Sequence, residues 1–255
     1  MRFDQVPGAP EPISEVAPPL ERPHLLRQRW LDVTFLHWAV SPASVAPHLP
    51  AGTHPDVIDG RTFAGLVLFR MAGTAVGRGP AVPWLGTFLE TNVRLYSVDD
   101  TGRRGVVFLS LDADRALPVL AGRIGFGLPY RWARMRHRVH RDKTEPAHEY
   151  TARRRPLSAG GDSVVVVRPG KPSCGGPLES FLTARWGLHV RHCGKTWFLP
   201  NAHEQWPLRT AQVLGVRDGL VGAAGFPEID GREPDHAVFS EGVTARFGRP
   251  VRLPG

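Results

Sequence analysis

The sequence predicts a mainly β protein with a few short helices, on two observations. Glycine (28) and proline (25) are both abundant among 255 residues, which favours many turns and short strands over long helices. Most apolar stretches are four to ten residues long and several alternate with polar residues, whereas only residues 178–186 read as a clear amphipathic helix. The length allows a full hydrophobic core. We therefore expect one β-rich domain over residues 23–255.

The first 22 residues have a different character from the rest. They are rich in proline and lack apolar periodicity, so they are predicted to be either a flexible tail or an extended arm over the surface. Regular structure is predicted to begin at Trp30, in a run of β-branched and aromatic residues. Strand alternation places Phe35 and His37 on one face and Thr34, Leu36 and Trp38 on the other. His37 is then either a half-buried structural histidine whose hydrogen bonds are satisfied within the protein or a functional one.

The next elements follow from local signals. Ser41 and Pro42 predict the start of a short helix that stops before Pro50. Asp59-Gly60 predicts a hairpin turn ahead of an apolar strand at 62–71. Further strands are predicted at 87–96, 104–111 and 164–167.

The strand at 87–96 carries a row of polar side chains. Glu90, Asn92 and Arg94 share a face with Phe88, while the opposite face is mostly apolar. Such a row fits the wall of a polar pocket. It fits equally a solvated outer face that carries an ion pair within the strand.

Residues 121–132 read A-G-R-I-G-F-G-L-P-Y-R-W and combine three glycines with Pro129. Glycine permits backbone angles that other residues avoid, and proline fixes its own φ. The segment is either a tight bend in a β-rich fold or a place where the backbone approaches a ligand, with the Tyr130 phenol at its exit.

Two features of the sequence bear on nucleic-acid binding and on metal binding. The formal net charge is +8, and arginines alternate along a predicted hairpin at 131–155. An arginine-rich composition also results from a GC-rich genome, and the hairpin lacks interleaved exposed aromatics and any DNA-binding motif. Nucleic acid is therefore not the expected partner. The histidines and cysteines at 174–193 have no standard metal spacing, so no metal is expected.

The remaining composition bears on location and cofactors. No apolar window of transmembrane length and no signal peptide is recognisable. The two cysteines are expected to be free thiols, which fit a reducing cytoplasm, and a structural disulfide is the alternative. No P-loop or dinucleotide fingerprint occurs, so no cofactor is expected. The sequence leaves a homo-oligomer open.

The order of these motifs resembles the acetoacetate decarboxylase superfamily. That superfamily carries a glutamate on an aromatic-led strand and, about thirty residues later, the run G-R-E-x-x-G-x-P-K. Here the corresponding positions are Glu90 and then Gly122, Arg123, Gly127 and Pro129. The chain is more closely similar to the uncharacterised YqjF-like branch, over roughly residues 27–247. The segments that carry this similarity are 35–38, 90–96, 127–130, 178–186 and 206–208.

The resemblance implies an antiparallel β-cone or barrel with a central cavity and a few helices outside. It also shows where this sequence departs from the pattern of the decarboxylases. Where the decarboxylases have the Schiff-base lysine, this chain has Tyr130, and a phenol cannot form an imine. Ile124 replaces the glutamate of the motif, and residues 36–41 lack the arginine that is thought to hold the substrate carboxylate. The resemblance therefore implies the fold without the decarboxylase chemistry.

From these observations we expect a small-molecule cavity, in an enzyme that acts on a carbonyl or carboxylate compound by acid–base chemistry. Lyase, hydratase, isomerase and cyclase reactions all fit, and a non-catalytic binding or sensor protein is the alternative. The expected catalytic residues are Glu90, Tyr130 and His37. The expected ligand-binding residues are Arg94, Arg123, Asn92, His203 and Trp38. The YqjF-like branch tends to carry a histidine just before its Trp-Pro, and His203 could face the cavity or cap a turn.

Overall fold

Strands dominate the computed structural model, which describes residues 8–83, 86–115, 125–141, 146–155 and 161–254. The strands are β1 (Leu26–Val40), β2 (Thr53–Pro55), β3 (Thr62–Val76), β4 (Phe88–Asp99), β5 (Arg104–Ala113), β6 (Tyr130–His140), β7 (Ala147–Arg154), β8 (Asp162–Pro172), β9 (Gly187–His192), β10 (Lys195–Ala202), β11 (Leu208–Asp218), β12 (His236–Phe247) and β13 (Val251–Arg252). The helices are α1 (Pro42–Val45), α2 (Pro177–Thr183) and α3 (Leu220–Ala223), with 3₁₀ turns at Ala46–His48 and Pro227–Ile229.

The strands form one sheet that closes on itself and forks. Strands β12, β1, β3, β4 and β5 pair in that order, each with its neighbours antiparallel. Two separate arms then connect β5 back to β12. One arm runs through β6, β7, β8 and β11, and the other through β9 and β10. The parallel pairings of β5 with β6 and with β9 use different parts of β5, which is where the sheet splits.

The strands shared by both arms separate a hydrophobic core from a cavity. On one face their alternate side chains pack against β7, β8 and α3; these are Leu36, Trp38, Leu66, Leu68, Val93 and Leu95. On the other face the intervening side chains line a cavity that β9, β10 and α2 help to enclose. Because side chains alternate along a strand, a single strand serves both compartments.

Local signals in the sequence account for several elements. Ser41 caps α1 by accepting a hydrogen bond from the backbone N–H of Ser44 at 3.1 Å. Asp59 and Gly60 both have positive φ, as a tight hairpin turn requires. The predicted helix at 178–186 is shorter than expected, because α2 ends at Thr183 and β9 follows at Gly187.

The N-terminal residues 8–22 lie along the surface as an extended arm. The Trp186 indole N–H donates to the backbone oxygen of Ser14 at 2.8 Å, and the Ser180 hydroxyl donates to Glu15 at 2.6 Å. The described part of this stretch is therefore held against the domain by hydrogen bonds.

None of the helices in the described ranges combines the length and apolar character needed to cross a bilayer. Cys174 and Cys193 are both exposed and unpaired.

Candidate active site

The cavity between the shared strands and the second arm has a volume of about 350 Å³ and a mostly apolar wall. Aromatic rings contribute much of that wall, from Trp30, Phe35, Phe69, Phe88, Phe108 and Phe247. A small number of polar side chains interrupts it, which is the usual composition of a small-molecule site. These polar residues include Glu90, Asn92, Arg94, Tyr130, Arg185, Asn201 and His203.

Glu90 and Tyr130 meet in this cavity. The Tyr130 hydroxyl donates to Glu90 Oε2 at 2.9 Å, and both side chains are buried. Burial raises the pKa of Glu90 to about 7, with a smaller contribution from the charge of Asp112, while hydrogen bonds from Tyr130 and Asn92 oppose the shift. Burial and the neighbouring Glu90 carboxylate raise the pKa of Tyr130 well above its usual range. The pair therefore holds a carboxyl group that titrates near neutral pH beside a phenol that stays protonated.

Asn92 follows Glu90 on the same face of β4. It is buried, and no described residue hydrogen-bonds its Oδ1 atom. An unsatisfied carbonyl oxygen costs free energy when it is buried in protein, so this atom is available to a donor on a ligand or to water.

Arg94 places a cation on the cavity wall. Its Nη2 donates to the backbone oxygen of Leu182 at 2.9 Å, and its Nε and Nη2 donate to the Tyr96 hydroxyl at 3.2 and 3.1 Å. Within the described ranges no carboxylate lies at ion-pair distance from it, and the Glu90 bond goes to Tyr130 instead. The row of polar residues on β4 is thus the wall of a pocket, without the intrastrand ion pair that a solvated face would carry.

Arg185 lines the same part of the cavity, although sequence reasoning did not select it. Its Nη1 forms an ion pair with Asp56 at 2.5 Å, and its guanidinium lies 4.8 Å from the centre of the Tyr96 ring. Its Nη2 is buried without a hydrogen-bond partner among the described residues. The sequence signal was weak: Arg185 falls just after an amphipathic helix, where a surface arginine is the common outcome.

His37 does not line the cavity. It is fully buried beside Phe35 on the same face of β1, where its Nδ1 shares a hydrogen bond with His236 Nδ1 at 3.2 Å and its ring stacks on Phe35. Burial and, secondarily, the charge of Arg94 lower its pKa well below the usual value. One ring nitrogen is thus bonded within the protein, whereas no described residue hydrogen-bonds the buried Nε2, and the catalytic role of His37 stays a prediction.

Trp38, expected as a ligand-binding residue, also lies away from the cavity. It is on the opposite face of β1, packs in the hydrophobic core and donates its indole N–H to the backbone oxygen of Arg232 at 3.1 Å. The period of two along a strand requires this separation from Phe35.

His203 both faces the cavity and caps a turn, which were the two alternatives for it. Its Nδ1–H donates to the backbone oxygen of Glu204 at 2.6 Å, as a turn cap would, and its ring lines the cavity between Trp30 and Trp206. Burial lowers its pKa.

Arg123 lies outside the described residues, as does the first part of the glycine-rich segment. The described part begins at residue 125, and Gly127 has a φ of +66°. A Cβ at Gly127 would come within 2.6 Å of His192 Nδ1, so the backbone approaches β9 closely there. Phe126, Leu128 and Tyr130 then line the cavity. The described part of the segment is thus both a tight backbone passage and part of the cavity wall.

No lysine of the described chain lines the cavity; Lys171 and Lys195 are exposed, and Lys143 lies outside the described residues. In the same ranges no group of three or more His, Cys, Asp or Glu side chains could hold a metal ion.

Residues 27–244 match the family model DUF2071, described as an uncharacterized conserved protein. The chain belongs to this family. It is 30% identical over 216 residues to the uncharacterized protein YqjF of Bacillus subtilis (strain 168), covering 81% of this chain and 85% of the relative. The YqjF-like resemblance in the sequence is thereby confirmed.

Solved structures with the same fold include enzymes. An acetoacetate decarboxylase-like enzyme from Sphingomonas wittichii RW1 superposes with a TM-score of 0.62 at 14% identity, covering 91% of this chain and 93% of the other. The enduracididine biosynthesis enzyme MppR, complexed with pyruvate, gives 0.61 at 14% identity and covers 92% of each chain. Acetoacetate decarboxylase from Legionella pneumophila gives 0.57 at 12% identity, covering 93% and 92%. The acetoacetate decarboxylase-like fold is confirmed, in a cone-like form with a forked sheet.

Proposed function

We propose that this protein is an enzyme that binds a carbonyl compound with a carboxylate group in the cavity and acts on it by acid–base chemistry. The observation that carries the proposal is the buried Glu90–Tyr130 pair, with its 2.9 Å hydrogen bond and the Glu90 pKa of about 7. General acid–base catalysis is most effective when the catalytic pKa lies near the working pH. Perturbed carboxyl groups in clefts are also concentrated at functional sites.

The pair supports proton removal next to a carbonyl. In the proposed step the Glu90 carboxylate takes a proton from the carbon adjacent to the ligand carbonyl, and the C–H electron pair becomes the C=C bond of an enolate. The negative charge moves to the carbonyl oxygen. Once protonated, Glu90 can donate to the Tyr130 oxygen, which frees the Tyr130 O–H to donate to the enolate oxygen.

Several outcomes can follow from such an enolate. Return of the proton to a different carbon gives an isomer, and departure of a β-substituent with its electron pair gives a lyase reaction. Addition of water to the resulting double bond is the hydratase direction, and attack of the enolate carbon on a second carbonyl of the ligand gives a ring. None of these steps requires an imine, which agrees with Tyr130 standing at the lysine position of the decarboxylases.

The surroundings support the ligand class. Arg94 has no carboxylate partner among the described residues. Its Nε and Nη2 donate to Tyr96 and Leu182, which leaves the N–H groups of Nη1 for a ligand carboxylate. The structural relatives include decarboxylase-like enzymes and a pyruvate complex, which favours small oxo acids as the ligand class for this fold.

The test is hydrogen exchange of α-protons in D₂O, followed by NMR, on a panel of methyl ketones and oxo acids. The wild-type protein is expected to accelerate exchange for at least one compound, and Glu90→Gln is expected to abolish this. Tyr130→Phe should slow exchange by about 100-fold, a typical loss for a group that supports proton transfer. Tyr150→Phe is the matched control, because Tyr150 is a buried phenol in the core outside the cavity. If both site variants exchange protons as fast as wild type, the assignment is wrong.

The mostly apolar wall also favours a non-catalytic binding or sensor protein. Saturable binding of panel compounds with no exchange for any of them would support this second function. A cytoplasmic location and the oligomeric state remain predictions from the sequence.

A further inference from the structure

The cavity face of β4 has two ends with different chemistry. Glu90 and Arg94 are four residues apart on this strand, so their Cα atoms lie about 13 Å apart at a rise of about 3.3 Å per residue. Glu90 turns to Tyr130, whereas Arg94 is held by hydrogen bonds to the hydroxyl of Tyr96, which is two residues further away. The guanidinium lies between two rings, 5.3 Å from the centre of Phe35 and 5.4 Å from the centre of Tyr96, and it hydrogen-bonds to the Tyr96 hydroxyl rather than to Glu90.

The end of the cavity at Arg94, here called the anion end, is arranged to bind an anion. Arg94 has no carboxylate partner in the described part of the chain, and its guanidinium lies 5.3 Å from the centre of the Phe35 ring. Arg185 lies beside the same Tyr96 ring, and its buried Nη2 has no partner among the described residues. Two guanidinium groups near one ring, with a single aspartate (Asp56) to neutralise them, attract an anion.

The electrostatics agree with this separation. The charge of Arg94 lowers the pKa of His37 and of His203, whereas the charge that acts on the pKa of Glu90 comes from Asp112.

From this arrangement we infer that the ligand is an elongated oxo acid whose carboxylate and reacting carbonyl are separated by about four to six bonds. A span of roughly 11–13 Å, less about 3 Å for the contact at each end, leaves about 5–7 Å for the ligand. An extended chain advances about 1.2 Å per bond, which gives the stated length. An acid such as pyruvate, with its carbonyl next to the carboxylate, reaches only one end.

The wall between the two ends suits a connecting chain. Val67 and Phe69 line the cavity on β3, opposite Asn92 and Glu90 respectively, and provide apolar contacts for methylene groups. Asn92 Oδ1 is an acceptor that a hydroxyl or amide N–H on this chain would satisfy. The cavity volume of about 350 Å³ also accommodates a molecule larger than a three-carbon acid.

The inference rests on the proposed function for the role of Glu90 and Tyr130, and a length series tests it. The probes are pyruvate, 4-oxopentanoate, 6-oxoheptanoate and 8-oxononanoate, with binding measured by calorimetry and α-proton exchange measured by NMR. We expect 6-oxoheptanoate to bind at least about tenfold more tightly than pyruvate, because it alone engages both ends. Its methyl ester should lose at least about tenfold in affinity, the order expected for a hydrogen bond to a charged group.

The variants locate the anion end. Arg94→Gln is expected to abolish the preference for length, and the exposed Arg134→Gln is the control that should retain it. The ester comparison uses the wild-type protein, so it decides the question even if Arg94→Gln fails to fold.

Each outcome has a defined meaning. Equal or tighter binding of pyruvate, or unchanged affinity for the ester, overturns the inference. Tight binding of 6-oxoheptanoate without exchange supports the inferred ligand class and overturns the proposed catalysis. Exchange that is confined to the shortest acids supports the catalysis and overturns the inferred length.

Discussion

The titration of Glu90 should be visible in the stability of the protein. Because burial raises its pKa from 4.5 to about 7, the folded state holds a proton that the unfolded state has released between these values. Stability is therefore highest below the unfolded pKa and falls as the pH rises through the folded pKa. At about 1.36 kcal/mol per pKa unit, the whole shift amounts to roughly 3 kcal/mol, of which about 2.5 kcal/mol falls between pH 5 and pH 8.

Glu90→Gln isolates this contribution. The glutamine oxygen can still accept the Tyr130 hydrogen bond, but the side chain carries no charge at any pH. Urea unfolding from pH 5 to pH 8 should show the free energy of unfolding of wild type falling by about 2.5 kcal/mol relative to the variant. Glu228→Gln, at an exposed carboxylate, is the control and should follow wild type.

Other groups with a raised pKa, such as the buried Asp218, titrate in the same window, and the comparison between variants removes their contribution. If wild type and Glu90→Gln lose stability in parallel across this range, Glu90 does not hold its proton to neutral pH. The acid–base assignment would then lose its main physical support.

Three further changes test other features. Tyr130→Phe removes a hydrogen bond that lowers the Glu90 pKa, so the midpoint of the stability loss caused by Glu90 titration should move to higher pH. An unchanged midpoint would contradict the hydrogen bond between Tyr130 and Glu90. Gly242→Ala should destabilise the fold by about 3 kcal/mol or more in urea unfolding, because φ is +127° and a Cβ would lie 2.0 Å from the Trp30 backbone oxygen. A loss below about 1 kcal/mol would show that the backbone at this position can adjust. Asp56→Asn leaves a buried guanidinium without its counter-ion and should cost about 3–5 kcal/mol in the same measurement; a neutral result would mean that the charge is solvated.

Much of the fold could be predicted from local pattern. Alternation along residues 87–96 places Glu90, Asn92 and Arg94 on one face, and the structure has them there. Turn and cap residues such as Ser41 and Asp59 mark element ends because their conformations are locally determined. The fork was not predictable from pattern, since the pairings that create it join strands far apart in sequence and leave no periodic signal.

The site was only partly accessible from the sequence. Glu90 and Tyr130 are forty residues apart, and no local rule brings them within 2.9 Å; the resemblance to a known superfamily suggested the pair. Trp38 was expected to bind the ligand, but strand alternation, which sets it on the face opposite Phe35, sends it to the core. Arg185 was missed because its cavity position depends on how the end of α2 packs against β4.

The division of β1, β3 and β4 between core and cavity has a consequence for how this family could be re-engineered. Substitutions at the even-numbered positions 88–94 of β4 change what the cavity recognises, while Val93 and Leu95 retain the packing that holds the sheet together. The two sets of positions are adjacent in sequence but largely independent in their physical demands. A combinatorial library restricted to the cavity face could therefore explore new ligands with a smaller loss of folded clones than a library spread along the whole strand.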